Sequence, residues 1–150
     1  MPNLLDSSAA EEMARRVLQL TPEAKPLWGS MTATEMLLHC NKIQEYLLTP
    51  ATAPKKKTSA KQLILRWVVL YLLPRYPRNA GAPRQVVTKG LIDQNAFAEQ
   101  QQRFIQNVLR FPKHTAPIEH HHPYFGSMST RQWGLSSWKH NDHHLRQFGV

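Results

Sequence analysis

Cysteine is nearly absent: the chain has one, Cys40, so no disulfide forms within it and the fold must rest on its core. Long apolar runs are absent too. The longest, LILRWVVLYLLP from Leu63 to Pro74, is about half of what a bilayer span needs and carries Arg66, so no membrane-crossing helix is expected. Apolar and polar residues hardly ever alternate with a period of two, which argues against a sheet as the organising element. There is no Gly-rich phosphate loop, no G-x-S-x-G elbow, and no Glu directly after the first histidine of the H-N-D-H-H stretch, as a zinc-protease helix would need. No charged-then-apolar leader precedes the first polar helix. Together with the lone cysteine, this makes a reducing, cytoplasmic setting the expectation.

Acidic residues are missing between Tyr46 and Ile92, where nine basic ones occur: Lys55, Lys56, Lys57, Lys61, Arg66, Arg75, Arg78, Arg84 and Lys89. The other ten basic residues are matched by all ten acids, so the whole net charge of +9 sits in this segment. Such a stretch can meet phosphate, nucleic acid or an anionic substrate, or be a solvated loop and helix face. The second reading is preferred, because no aromatic-basic alternation and no recognisable nucleic-acid module accompanies the charge. Nucleic acid is therefore not the expected partner. The apolar run inside the segment is read as a buried helix, with an interfacial membrane helix as the lesser alternative because of the flanking Lys and Arg.

What the chain does have is helical periodicity. Its 150 residues suit a single domain over 1–150, large enough to bury its apolar surface without a structural metal. Helices are expected from about Ser8 to Leu20, from Thr32 to Leu48, from Ala60 to Leu73, from Asn95 to Phe111 and from Ser129 to Phe148. TPATAPKKKTS, PRYPRNAGAPRQ and KHTAPIEHHHPYFG read as irregular connections from their proline, glycine and polar content. Two helices share one kind of start: Trp28-Gly29-Ser30-Met31-Thr32 with Glu35, and Phe125-Gly126-Ser127-Met128-Ser129 with Gln132. In each, a hydroxyl and the Glu or Gln three residues later make a capping box, and the glycine permits the turn.

Both of these helices carry histidine. On the last, Trp133, Ser137, His140, His144 and Phe148 form one stripe, so His140 and His144 face the same way. On the second, Met36, His39, Ile43 and Tyr46 form a stripe that turns His39 toward the core. Two histidines at i and i+4 plus a third from a facing helix make an open three-histidine metal site; the competing explanation is hydrogen-bonded interior histidines. His143 lies one residue off the stripe, a supporting or solvent position. His120, His121 and His122 read as surface histidines in a loop. Cys40 has no group to lower its pKa and reads as a buried structural thiol. Glu35, one turn before His39, is a candidate orienter or proton acceptor, with the capping box the preferred role.

WGSMTATEMLLHC, then HPYFGSMSTRQW leading into WKHNDHHLRQFG, resembles the DinB-like superfamily, in the branch called domain of unknown function 1569, over nearly the whole chain. The resemblance implies an all-α fold: a DinB-like four-helix bundle with an additional helix and long irregular connections. It implies a divalent metal (Zn, Ni, Mn or Fe) on His39, His140 and His144, and often a homodimer. Among relatives are thiol-dependent transferases and a few hydrolases or isomerases that use bacillithiol, mycothiol or glutathione. A metal-dependent enzyme acting on a small-molecule substrate, such as a transferase using a low-molecular-weight thiol, is thus the leading expectation. The rival is a non-catalytic helical bundle that binds another chain and keeps a vacant site. Glu35 and His143 are the weak candidates for supporting roles.

Overall fold

The computed structural model describes residues 1–52, 56–78 and 88–150. Lys55, Arg84 and residues 79–85 of the proline-rich connection lie outside the described residues. The chain is mostly helical: α1 Ser7–Val17, α2 Ala33–Leu47, α3 Ala60–Trp67, α4 Phe97–Arg110 and α5 Thr130–Gln147. The only strands among the described residues are the two-residue β1 His121–His122 and β2 Gly126–Ser127, paired antiparallel. This hairpin was not expected, since strands so short leave no alternation to read.

Helices α1 and α2 each pack against both α4 and α5. Between them lies a core that includes Met13, Val17, Leu37, Phe104, Val108, Phe111 and Leu145, all fully enclosed. Polar groups add register to the α2–α4 contact. Asn41 Nδ2 donates to the backbone oxygen of Gln100 at 2.9 Å and to its Oε1 at 3.0 Å, and Asn107 Nδ2 donates to Glu45 Oε1 at 3.1 Å. Buried amides need such partners, and here each is met from the facing helix.

The helix boundaries follow the expected ones to within a few residues, with two instructive differences. Helix α1 stops at Val17 and not Leu20, because Gln19 N–H bonds to Arg16 O at 3.0 Å and Leu20 N–H to Val17 O at 3.1 Å, a tightened final turn. The third helix loosens into a π-helical turn over Val68–Leu72, where Leu73 N–H reaches back five residues to Val68 O at 2.9 Å. Buried Lys139 of α5 donates to the carbonyls left open there, Val69 O at 2.9 Å and Leu73 O at 2.6 Å. Those bonds, with Pro74 behind them, end the helix.

The run from Leu63 to Pro74 is not a buried helix. Only Val69 and Leu70 are buried, whereas Leu63, Ile64, Leu65, Trp67, Tyr71 and Leu72 are exposed. The core is already filled by α1, α2, α4 and α5, so α3 rests on its flank against the hairpin, and the π-helical turn that continues it rests against α5.

Candidate metal centre

Helices α2 and α5 begin where the shared start places them. Both capping boxes are complete, Thr32 with Glu35 and Ser129 with Gln132. Gly29 and Gly126 have φ of 78° and 71°, a region that side chains with a Cβ rarely enter. A Cβ at Gly126 would also meet Thr58 Cγ2 at 2.3 Å, and one at Gly29 would meet Gln147 Nε2 at 2.6 Å. The two helices are then tied together, since Gln44 Nε2 donates to Asn141 Oδ1 at 3.0 Å. Helix α5 is held from its other side by α1: Arg16 Nη1 and Arg146 Nε each lie 2.9 Å from an oxygen of Asp142.

This frame brings together His39, His140 and His144, although His39 and His140 are 101 residues apart in sequence. His39 and His144 are buried and His140 is half-buried. One nitrogen from each ring lies within 4.8 Å of those of the other two, and the Nε2 atoms of His39 and His140 are 3.1 Å apart. Two nitrogens bound to one ion at about 2.0–2.1 Å with angles between octahedral and tetrahedral would stand about 2.9–3.4 Å apart, so the His39–His140 pair has the spacing of two ligands on one ion. The three residues could hold a metal ion.

The tautomer of His144 can be deduced. Gln147 Nε2 donates to the carbonyl of Trp28 at 2.7 Å, which leaves Gln147 Oε1 facing His144 Nδ1 at 2.9 Å. An amide oxygen only accepts, so Nδ1 carries the proton and the lone pair of Nε2 is available to the cluster. Burial, then the neighbouring His144 and His39, keeps His140 well below the usual imidazole pKa. Burial and His39 push His144 down to about 3. Neutral imidazoles are the metal-binding form. Gln147 was missed in the sequence, although its spacing of three from His144 was a signal.

The other candidates sit differently. Glu35 is buried, and its carboxylate accepts Thr32 N–H at 2.8 Å and Gly90 N–H at 2.6 Å. Burial would raise its pKa, but these hydrogen bonds hold it below the ordinary carboxylate value. Its oxygens are thus engaged in capping α2 and tethering the chain at Gly90. His143 packs edge-on against Trp28 and His144, with ring centroids at 5.6 and 5.1 Å, beside the cluster and not in it. Cys40 is buried with its Sγ 3.7 Å from Met36 Sδ, and burial pushes its thiol pKa up.

His120 and His122 are not loose surface histidines. His120 is buried against Tyr46, and its Nε2–H donates to Thr49 O at 2.9 Å. His122 stacks on Phe125, and its Nδ1 accepts the N–H groups of both Tyr124 and Phe125 at 3.1 Å. Burial, then His121, lowers the pKa of His122 to about 4. His121 is half-buried, with its Nδ1 3.4 Å from Ser127 Oγ. These rings hold the hairpin and its turn together.

No curated protein and no solved structure matches the chain. The model of the DUF1569 family, described as a protein of unknown function, matches residues 2–149. That is almost the full length, and the chain belongs to the DUF1569 family.

Proposed function

We propose that His39, His140 and His144 bind one divalent metal, Zn, Ni, Mn or Fe, and that the chain is a DinB-like four-helix-bundle enzyme using it on a small-molecule substrate. The 3.1 Å approach of the His39 and His140 Nε2 atoms carries this reading, because two imidazole nitrogens so close need a proton or a cation between them. A divalent ion held there would supply Lewis acidity, lowering the pKa of a coordinated thiol or water. Three protein ligands leave coordination positions open. The half-buried His140 marks the side from which a ligand can arrive. Ser137 lies on the same stripe of α5, and its hydroxyl is buried without a hydrogen-bond partner among the described residues, a polar atom available to a bound ligand. The resemblance to thiol-dependent transferases makes a low-molecular-weight thiol the favoured nucleophile. The cytoplasmic setting and the homodimer belong to the same reading.

The deciding measurement is elemental analysis of protein purified without a nickel column. About one equivalent of metal per chain is expected after incubation with Zn, Ni, Mn or Fe. Absence of stoichiometric metal from all four samples would sink the proposal and favour a non-catalytic bundle with a vacant site. Gln147→Leu removes the acceptor of His144 Nδ1 while leaving the backbone bond from Leu27 N–H to Gln147 O intact. Chelator competition should then show metal affinity lower by about tenfold to a hundredfold.

A further inference from the structure

Helix α3 presents its apolar side to solvent. Ile64 is 66% exposed and Trp67 57%, with Leu63, Tyr71 and Leu72 exposed around them. Ile64, Trp67 and Tyr71 follow one another at spacings of three and four, so they share one stripe. Val69 and Leu70, on the opposite side, rest on the protein. A surface helix ordinarily does the reverse, and a contiguous apolar face of this kind marks a contact.

The surroundings specify the chemistry of that contact. Lys56, Lys57 and Lys61 precede or open the helix and Arg75 follows it, all four exposed. No acidic residue occurs between Tyr46 and Ile92. The ion pairs between described residues involve Arg16, Arg103, Arg131 and Arg146, all outside this segment. Lys56, Lys57, Lys61 and Arg75 therefore make no ion pair among the described residues.

We propose that the α3 face binds an anionic membrane surface, with Ile64, Trp67 and Tyr71 entering the acyl boundary and Lys56, Lys57, Lys61 and Arg75 meeting headgroup phosphates. Charge selects this occupant. A second copy docked on the same patch about a twofold axis would set lysines against lysines, whereas an anionic bilayer offers apolar depth and counter-charge together. Trp and Tyr suit that boundary, since each has an apolar ring with one polar atom. No helix among the described residues is long and apolar enough to cross a membrane, so α3 lies in the plane of the interface. The inference is independent of the histidine cluster.

Co-sedimentation with vesicles tests it. The full chain should bind phosphatidylcholine vesicles containing about one third phosphatidylglycerol at least about tenfold more tightly than pure phosphatidylcholine, and release them as NaCl rises. Ile64→Glu and Trp67→Glu alter exposed side chains, so the melting temperature should hold while vesicle affinity falls about tenfold or more. The double variant Lys57→Glu, Lys61→Glu should lower affinity for the anionic vesicles alone. Failure to bind anionic vesicles, equal binding to neutral ones, or indifference to both sets of substitutions would overturn the proposal. A dimer that Ile64→Glu dissociates, without vesicle binding, would assign the face to a second copy.

Discussion

His144→Ala should weaken zinc binding by at least about a hundredfold, because it removes one of the three proposed ligands, whose tautomer Gln147 sets. His39→Ala should do the same from the facing helix, and the pair of variants tests whether the ion is shared between α2 and α5. Isothermal titration with zinc reads the loss directly. His121→Ala is the control: its ring belongs to the hairpin, and the affinity should not change. Zinc binding that survived in both His39→Ala and His144→Ala would show that the ligands lie elsewhere, even if the protein holds a metal. The loss should not come from unfolding. Both rings are buried but lie outside the hydrophobic cluster of Met13, Leu37, Phe104 and Leu145, so both variants should still show a cooperative unfolding transition.

Asp142→Ala should cost about 2–3 kcal/mol of folding stability, measured by urea unfolding. Asp142 is the one carboxylate between two guanidinium groups: Arg16 of α1 bonds to Oδ1 and Arg146 to Oδ2, each at 2.9 Å. The side chains of Asp142, Arg16 and Arg146 keep only 11%, 18% and 21% of their exposure, so removal of the acid leaves two poorly hydrated cations, Arg16 with only the longer 3.8 Å contact to Glu12. That is a larger penalty than a solvent-exposed pair carries, about 0–1 kcal/mol. Asp142→Asn keeps the shape and removes the charge, and should lose most of the same stability. A change below about 0.5 kcal/mol in both variants would show that the triad behaves as an exposed ion pair. Because Asp142 sits between His140 and His144 on α5, a loosened helix should also weaken zinc binding, by less than loss of a ligand does.

The candidate site was legible in unusual detail, for a geometric reason. Capping boxes, the positive-φ glycines and the spacing of His140 and His144 all depend on residues within a few positions of one another. Thr32 with Glu35 and Ser129 with Gln132 therefore announced where α2 and α5 begin, and once those starts are known the stripes decide which histidines face inward. His39 could be placed on the core side of its helix by the same logic.

Other features had no local signature. The Leu63–Pro74 run has the composition of a core helix, and whether it is covered depends on the space left by α1, α2, α4 and α5. The same holds for His120 and His122, which look like surface loop histidines until Tyr46, Thr49 and Phe125 are brought against them. Lys139 has no local sign of burial, yet it is enclosed with its ammonium donating to two carbonyls at the end of the π-helical turn.

By itself the sequence determined the helical class, the starts of α2 and α5, the inward faces that carry His39, His140 and His144, and a block of positive charge without counter-charge. The tertiary structure alone decided that the three rings meet within 4.8 Å, that Gln147 sets the tautomer of one of them, and that the apolar run lies outside. Hydrogen bonds within a turn of helix couple near neighbours, and so their pattern is written locally. Convergence of residues 101 apart, and the exposure of a helix, depend on which surfaces the rest of the chain has already filled.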